Sequence, residues 1–179
     1  MHPSTLPITV LLLADGRIEL PTTVDAFSIA LACHIAAGLT AVTAGAIAAT
    51  APKRPGRHPR FGLVYYWAIT GVFATALAMA VLRWPHDTHL VAIGTIAATS
   101  ATFGYQARRR RRRGWRRWHI LGMGISYIAL LTGFYVDNGP NLPVWDRLPP
   151  VSFWFLPSLI GLPIILRALA RHRSPTASR

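Results

Sequence analysis

Five apolar stretches of roughly 20 residues are the feature that most constrains how this chain folds. A helix rises about 1.5 Å per residue, so about 20 residues cross the roughly 30 Å hydrocarbon core of a bilayer. Backbone polar groups find no water there, and a segment that crosses it must therefore satisfy its own hydrogen bonds as a helix. The sequence predicts an all-α, polytopic membrane bundle with five transmembrane helices, at about residues 26–50, 61–82, 88–107, 118–136 and 151–170.

Prolines mark the ends of these stretches. Pro52 and Pro55 follow the first stretch and Pro85 follows the second, where the loss of a backbone N–H ends a helix without interrupting it. Pro157 and Pro163 are different because they lie inside the fifth stretch. They predict a kink or a break in the last helix.

The chain divides into three parts by composition. Residues 1–25 form an extracytoplasmic N-terminal segment, residues 26–170 a single membrane-embedded helical domain, and residues 171–179 a basic cytoplasmic tail. The N-terminal segment contains a short apolar run, Ile8–Leu13, without a basic region before it. This run is too short to cross a membrane and does not resemble a signal peptide. We expect it to lie in the membrane interface or to pack on the bundle.

The distribution of charge predicts the orientation. All but three of the 19 basic residues lie in the first connector, the third connector and the C-terminal tail, which fall on one side if there are five spans. The other side receives Arg17, Arg83 and Arg147 together with all six acidic residues. Because cytoplasmic loops carry the excess of Lys and Arg, the N-terminus is predicted outside and the C-terminus in the cytoplasm of a bacterial plasma membrane.

The third connector holds the densest charge. Its arginines are Arg108, Arg109, Arg110, Arg111, Arg112, Arg113, Arg116 and Arg117. A net charge of +13 suggests nucleic acid in a soluble protein, but here 52% of the residues are hydrophobic and only 14% are charged. We therefore interpret the block as a topology determinant that binds anionic headgroups, at about 1 kcal/mol per residue, and expect no nucleic acid. A specific anionic ligand is the lesser alternative.

Aromatic residues near the predicted span ends, such as Tyr65, Trp67 and Trp118, are typical of the membrane interface. The single cysteine, Cys33, excludes an intramolecular disulfide and a cysteine-based metal cluster. The sequence contains no hydrolase, zinc-protease, Walker or dinucleotide motif, so enzymatic activity stays undecided. No carboxylate lies inside a predicted span, which disfavours a proton-coupled transporter.

Histidine is the residue type left to carry chemistry. His34 lies about eight residues inside the first span, where an ionisable side chain indicates either a functional site or a hydrogen bond to a neighbouring helix. His58 and His119 lie at the cytoplasmic mouths of the second and fourth spans. His86 and His89 lie at the outer mouth of the third. The histidines thus form an inner set and an outer set.

Two sets of histidines suggest a cofactor. Membrane cytochromes of the b type hold haem between histidines of different helices. The leading hypothesis is a b-type haem protein in transmembrane electron transfer, in which His58 and His119 serve the cytoplasmic side and His34 and His89 the outer side. The predicted depths of His34 and His89 differ by about 10 Å, which weakens the outer pair.

Met123, Ser126 and Tyr127 share a helical face with His119. Met123 and Tyr127 complete the candidate cofactor-binding set, since such a face can line a quinone or metal pocket, although ordinary packing produces the same stripe. One alternative function is a non-enzymatic small transporter or accessory membrane component whose histidines are structural or pH-sensing. Another is a protein that handles lipid or quinone. Whether the chain forms homo- or hetero-oligomers is open.

Three strings resemble a group of small bacterial multi-pass membrane proteins of unknown function: "CHIAAGLTAVTAGAIAA", "HPRFGLVYYWAI" and "HILGMGISYIALLTGFYV". The group has a histidine and a glycine in its first span, a His-Arg-x-x-Gly entry to the second, and a His…Met…Ser-Tyr face on a later span. The matching residues are His34 and Gly38, then His58, Arg60 and Gly62, then His119, Met123, Ser126 and Tyr127. Pro59 stands where a basic residue is usual. The resemblance implies that these histidines belong together, but it implies no activity.

Overall fold

The computed structural model describes residues 8–13, 16–21, 25–82, 88–143 and 145–171. Within these residues the chain forms five long helices, α1 (Ala26–Thr50), α2 (Arg57–Leu82), α3 (Thr88–Arg110), α4 (Trp115–Asn138) and α5 (Ser152–Arg171). Two short 3-10 turns, Gly139–Asn141 and Trp145–Arg147, lie between α4 and α5. The predicted all-α architecture of five helices is confirmed.

Three helices extend beyond the predicted spans at their charged ends. α2 begins at Arg57 instead of residue 61, α3 ends at Arg110 instead of residue 107, and α4 begins at Trp115 instead of residue 118. Hydropathy marks where the hydrocarbon ends, whereas arginine is a good helix former and lets a helix continue into the headgroup region. His58 therefore lies in the first turn of α2. Pro59 is tolerated in this turn because the N–H that it lacks would have no intrahelical partner.

The last helix is continuous. α5 runs from Ser152 to Arg171 as one helix and contains both Pro157 and Pro163, so of the two predicted alternatives, a kink or a break, the break does not occur. In a bundle, the backbone groups freed by an internal proline are satisfied by neighbouring groups, which is why proline is common in membrane helices. The first helix begins as predicted because the Asp25 side chain accepts a hydrogen bond of 2.6 Å from the backbone N–H of Ser28.

Among the described residues, four helices are long and apolar enough to cross a membrane: α1, α2, α4 with the turn that follows it (Trp115–Asn141), and α5. α3 has 23 residues, which is sufficient in length, but its threonines, His89 and terminal arginines make it more polar. The chain is thus a multi-pass membrane protein whose apolar helices contact the lipid bilayer. The fifth crossing predicted by the sequence is not established by composition.

Consecutive helices pack antiparallel. His34, near the start of α1, bonds to Thr75 in the second half of α2, whereas Ala48, near the end of α1, bonds to His58 at the start of α2. The same alternation joins α3 to α4 and α4 to α5. The ends of α1, α3 and α5 therefore lie beside the starts of α2 and α4.

This alternation separates the charges along the bundle. The described end with Lys53, Arg54, Arg57, Arg60, Arg108–Arg113, Arg116, Arg117 and Arg171 is called here the arginine end. The opposite, acidic end carries Asp25 at the start of α1, Asp137 at the end of α4, and Asp146. The separation predicted from the sequence thus follows from the helix directions, although they do not identify the cytoplasmic side.

Residues before α1 form a β-hairpin. β1 (Ile8–Leu13) and β2 (Gly16–Pro21) pair antiparallel, with Leu13 opposite Gly16 and Ile8 opposite Pro21. The apolar run of β1 was predicted to lie in the membrane interface or against the bundle, and the strand itself was not predicted. An Asp-Gly pair between two runs rich in aliphatic residues is a hairpin signal that could have indicated it.

Glycine allows α3 and α4 to approach closely. A Cβ added to Gly122 would lie 2.6 Å from the backbone nitrogen of Gly104, and a Cβ added to Gly104 would lie 2.9 Å from the backbone nitrogen of Met123. The two backbones are therefore in contact, as in other membrane helix pairs with small residues at the interface. Alanines, two isoleucines, Val72, Leu130 and the ring of Tyr65 fill the buried core beside this contact.

We expect Gly122→Ala to lower the free energy of unfolding by about 1 to 3 kcal/mol, because the new methyl group meets backbone that cannot move aside. Denaturation of the purified protein in detergent would measure this effect. Gly38→Ala is the matched control, since a Cβ at Gly38 has nothing within 4 Å. Equal stability of the two variants would contradict the close contact of α3 with α4.

Candidate functional site

Two histidines from different helices face each other at the arginine end. The rings of His58 (α2) and His119 (α4) have centroids 6.2 Å apart and planes at 89°. Both rings are partly buried. The sequence placed these residues at the same mouth of the bundle, and the structure brings them together. We call them the histidine pair.

Each ring of the histidine pair is anchored by a further helix. Nδ1 of His58 lies 2.8 Å from the carbonyl oxygen of Ala48 in α1, and Nδ1 of His119 lies 2.9 Å from the carbonyl oxygen of Gly104 in α3. A carbonyl oxygen only accepts, so Nδ1 carries a proton and donates it in both rings. In the neutral rings, Nε2 therefore keeps the lone pair that binds a metal ion. A backbone carbonyl behind Nδ1 is the usual support of a ligating histidine.

The acceptor for His58 is available because α1 ends nearby. The last carbonyls of a helix have no intrahelical partner, and Ala48 lies in the last turn of α1. Its oxygen also accepts a hydrogen bond of 2.9 Å from Nζ of Lys53, which donates to Ala49 as well at 2.7 Å. Partial burial lowers the pKa of the Lys53 amino group.

The acceptor for His119 is available because of the glycine contact. Gly104 lies inside α3, and the approach of Gly122 brings its carbonyl oxygen within reach of a ring at the start of α4. Lys53 and Arg108 both act electrostatically on the two rings of the histidine pair. The site thus combines two imidazoles from facing helices with two nearby cations.

The arginine block surrounds this site but does not line it closely. Arg108 is partly buried, and the other seven arginines of the block are exposed. The connector turns at Arg111 and Gly114, which both have positive φ. Arg111 and Arg116 lie over the ring of Trp115, at 6.0 and 5.6 Å from its centroid. Trp115 in turn lies 6.4 Å from His119, so it links the exposed arginines to the histidine pair.

A second polar group lies deeper in the bundle, where α1, α2 and α4 meet. The hydroxyl groups of Tyr65 and Ser126 are 2.6 Å apart, and the two residues are only 2% and 0% exposed. The Tyr127 hydroxyl donates to the carbonyl oxygen of Val42 at 3.0 Å, and its ring lies 6.0 Å from that of Tyr65. The interfacial position predicted for Tyr65 is therefore wrong, because its ring fills the core and its hydroxyl finds a partner there.

Met123 is also on the predicted face of α4, but it packs against Gly104 of α3. No described contact joins its sulfur to the ring of His119. Met123, Ser126 and Tyr127 thus all point into the bundle from α4, but they contact three different helices, α3, α2 and α1 respectively.

The outer histidines contact different helices. Nδ1 of His34 lies 2.9 Å from the hydroxyl oxygen of Thr75 and 3.1 Å from the carbonyl oxygen of Val72, both on α2. The exposed ring of His89 lies 6.3 Å from the ring of Trp154 on α5. His86 lies outside the described residues. The pairing of His34 with His89 stays a prediction from the sequence.

Within the described ranges, no three or more His, Cys, Asp or Glu side chains are grouped to hold a metal ion. At the arginine end, the described residues therefore offer a metal ion two histidine ligands. Its remaining ligands would come from a bound cofactor. A shallow apolar groove of about 500 Å³ lies between α1 and α2, lined by residues such as Ala37, Leu63 and Trp67, and contains none of the histidines.

Comparison of the chain with protein-family models, with curated proteins and with solved structures gave no match. The fold defines the class of protein: it is a multi-pass membrane protein, and its described residues include four helices suited to crossing a bilayer. The family resemblance described from the sequence stays a hypothesis.

The buried hydroxyl pair allows a test of helix packing. We expect Tyr65→Phe and Ser126→Ala each to destabilise the protein, with a coupling free energy of about 0.6 kcal/mol, and at most about 1.7 kcal/mol, in a double-mutant cycle, as is typical of hydrogen bonds between membrane helices. Unfolding in detergent micelles would provide the four values. Thr99→Val, which removes a hydroxyl bonded only to its own helix, is the control. Additive effects of the two substitutions would contradict the hydrogen bond.

Proposed function

We propose that all five helices cross a bacterial plasma membrane, with the arginine end in the cytoplasm and the N-terminus outside. The positive-inside rule supports this orientation, since the described arginines concentrate at one end. α3 packs antiparallel along α4, from Gly104 beside Gly122 to Ile93 beside Gly133. A helix in contact with a spanning helix over this length lies at the same depth, which supports the fifth crossing. The arginine block would then lie at the anionic headgroups of the cytoplasmic leaflet.

Single cysteines introduced into a Cys33→Ser background would test this topology. We expect a membrane-impermeant maleimide added to intact cells to label Thr88→Cys and Asn141→Cys but not Arg113→Cys, because α3 and α4 each separate one labelled site from Arg113. Permeabilised cells are the control, in which all three sites should react. Equal labelling of Thr88→Cys and Arg113→Cys in intact cells would refute a crossing by α3.

We propose further that the histidine pair holds the iron of a b-type haem and that the protein transfers electrons across the membrane. The observation that carries this proposal is the separation of 6.2 Å between the ring centroids of His58 and His119. Metal–nitrogen bonds to imidazole are about 2.0 Å long, so two rings at this separation could each direct Nε2 to one bound metal ion. The bound group would supply one-electron chemistry.

The surroundings of the histidine pair fit this ligand. The hydrogen bonds to Ala48 and Gly104 hold each ring in the tautomer that presents Nε2, and they fix its orientation before any ligand arrives. Haem also carries two carboxylates. Lys53 and Arg108, whose charges act on both rings, are suitable partners for them because carboxylates pair strongly with ammonium and guanidinium groups.

An absorption spectrum of protein expressed with a supply of haem tests the proposal. We expect a Soret band and sharp bands after dithionite reduction, lost in His58→Ala and His119→Ala because each removes one ligand, and retained in the control Thr99→Val, whose hydroxyl bonds only within its own helix. Size-exclusion chromatography shows whether each variant is folded. His58→Met is a second variant, which should keep the bands but raise the reduction potential, since a thioether ligand favours the reduced iron. A folded, colourless wild-type protein would refute haem binding.

A further inference from the structure

The groove between α1 and α2 lies on the surface of the bundle that faces the lipid. Its volume of about 500 Å³ is within the range of pockets that hold small ligands. The Thr40 hydroxyl donates to the carbonyl oxygen of Ala36 at 2.8 Å, so this polar hydrogen is satisfied inside α1 and the groove offers an apolar surface. Small residues line one side and larger residues the other: Ala36, Ala37 and Thr40 on α1, and Leu63, Val64 and Trp67 on α2.

Basic residues lie at one end of this groove, because the connector between α1 and α2 is rich in arginine. Arg57 and Arg60 precede Val64 by seven and four residues, which places all three on nearly the same face of α2. Arg60 is about 5 Å nearer the arginine end than Leu63 and Val64. The groove therefore has an apolar body and a cationic end.

The arginines at this end have no negative partner in the described part of the chain. Arg54, Arg57 and Arg60 are exposed, and none of them forms an ion pair with a described residue. The described carboxylates of the helical region lie at the opposite, acidic end of the bundle. Lys53, by contrast, is engaged, because its amino group donates to the last carbonyls of α1. An anion that pairs with the three arginines must therefore come from outside the helices.

The spacing of the arginines and the groove matches the layers of a bilayer. Each headgroup region is about 5 to 8 Å thick, since a bilayer measures about 40–45 Å and its hydrocarbon core about 30 Å. With Arg60 among the headgroups, Leu63 and Val64 lie where the hydrocarbon begins, and Trp67 lies about 10 Å deeper than Arg60. A phospholipid has the same order of parts, with its phosphate outermost and its acyl chains below.

We infer that the groove binds one anionic phospholipid, with an acyl chain between α1 and α2 and the phosphate at Arg57 and Arg60. Guanidinium groups pair with phosphate through charge-assisted hydrogen bonds that are often bidentate. The Trp67 indole is 64% exposed and has no hydrogen-bond partner among the described residues, so its N–H is available to the ester oxygens of the lipid. The inference rests on the proposed placement of the arginine end at the headgroups and is independent of haem.

A second copy of the chain is the competing occupant of the groove. A copy inserted in the same orientation would bring its own Arg54, Arg57 and Arg60 close to these three, and like charges repel each other. An anionic lipid instead brings the negative charge that the described helices lack at this end. Charge complementarity therefore favours the lipid.

Native mass spectrometry of the purified protein in detergent would test the site, by titration with phosphatidylglycerol and with phosphatidylcholine of the same acyl chains. We expect the first phosphatidylglycerol to bind at least fivefold more tightly than phosphatidylcholine. Arg60→Gln should lower this affinity about fivefold, which corresponds to about 1 kcal/mol per basic residue near a membrane surface. Arg113→Gln is the matched control, because Arg113 is exposed in the third connector, and it should keep the wild-type affinity.

The apolar part of the site is tested by filling the groove. We expect Ala36→Phe to lower the affinity for phosphatidylglycerol at least fivefold, because the new ring occupies the space of the acyl chain. Ala46→Phe, at an exposed position of α1 outside the groove, should bind as the wild type does. Size-exclusion chromatography shows whether each variant is folded. If Ala36→Phe does not fold, Leu63→Ala, which removes the other wall of the groove, should give the same loss.

Three results would overturn the lipid site. Equal affinities of Arg60→Gln and Arg113→Gln would remove the role of the connector between α1 and α2. Equal binding by folded Ala36→Phe and Ala46→Phe would show that lipid adheres by charge alone. A dimer that persists without lipid and is lost in Ala36→Phe would assign the groove to a second copy. The maleimide labelling distinguishes the two proposals, since loss of the lipid site with the expected labelling leaves the topology intact.

Discussion

The contact between Gly104 and Gly122 is the interaction on which the arginine end depends. Lipid tails are as apolar as the helices, so close packing and hydrogen bonds, rather than the hydrophobic effect, hold helices together in a bilayer. Only because neither residue has a side chain do the backbones of α3 and α4 touch at this point. The same approach brings the Gly104 carbonyl oxygen to His119. One turn further along α3 lies Arg108, whose charge acts on both rings of the histidine pair.

The two rings of the histidine pair therefore connect four helices. His58 belongs to α2 and is anchored to α1 at Ala48, while His119 belongs to α4 and is anchored to α3 at Gly104. A small shift of either helical hairpin against the other would change the distance between the two Nε2 atoms. A binding site built in this way depends on the packing of the whole bundle, and a ligand that joins both rings would in turn stabilise that packing.

Much of this arrangement follows from the sequence, because hydropathy and charge act on long segments. The apolar stretches predicted all five helices, and the basic connectors predicted which ends lie together. The contact of His58 with His119 could also be predicted, because both residues lie near the starts of helices that run in the same direction. The bond of Tyr65 to Ser126 could not be predicted in this way. It depends on the rotation of each helix about its axis, which the packing of glycines and alanines determines. The helix ends were missed because arginine prolongs a helix after hydropathy falls.

The side chains in the α1–α2–α4 interface include larger polar groups than helix packing alone requires. Serine, threonine and small residues are sufficient to hold membrane helices together, and the threonines of this chain are largely satisfied within their own helices. Histidine and tyrosine are larger, and burying their polar atoms in lipid costs free energy unless each finds a partner. No buried side-chain nitrogen or oxygen of the described residues lacks one. The bundle satisfies each of these groups, and the same hydrogen bonds join α1 to α4, α2 to α4 and α3 to α4.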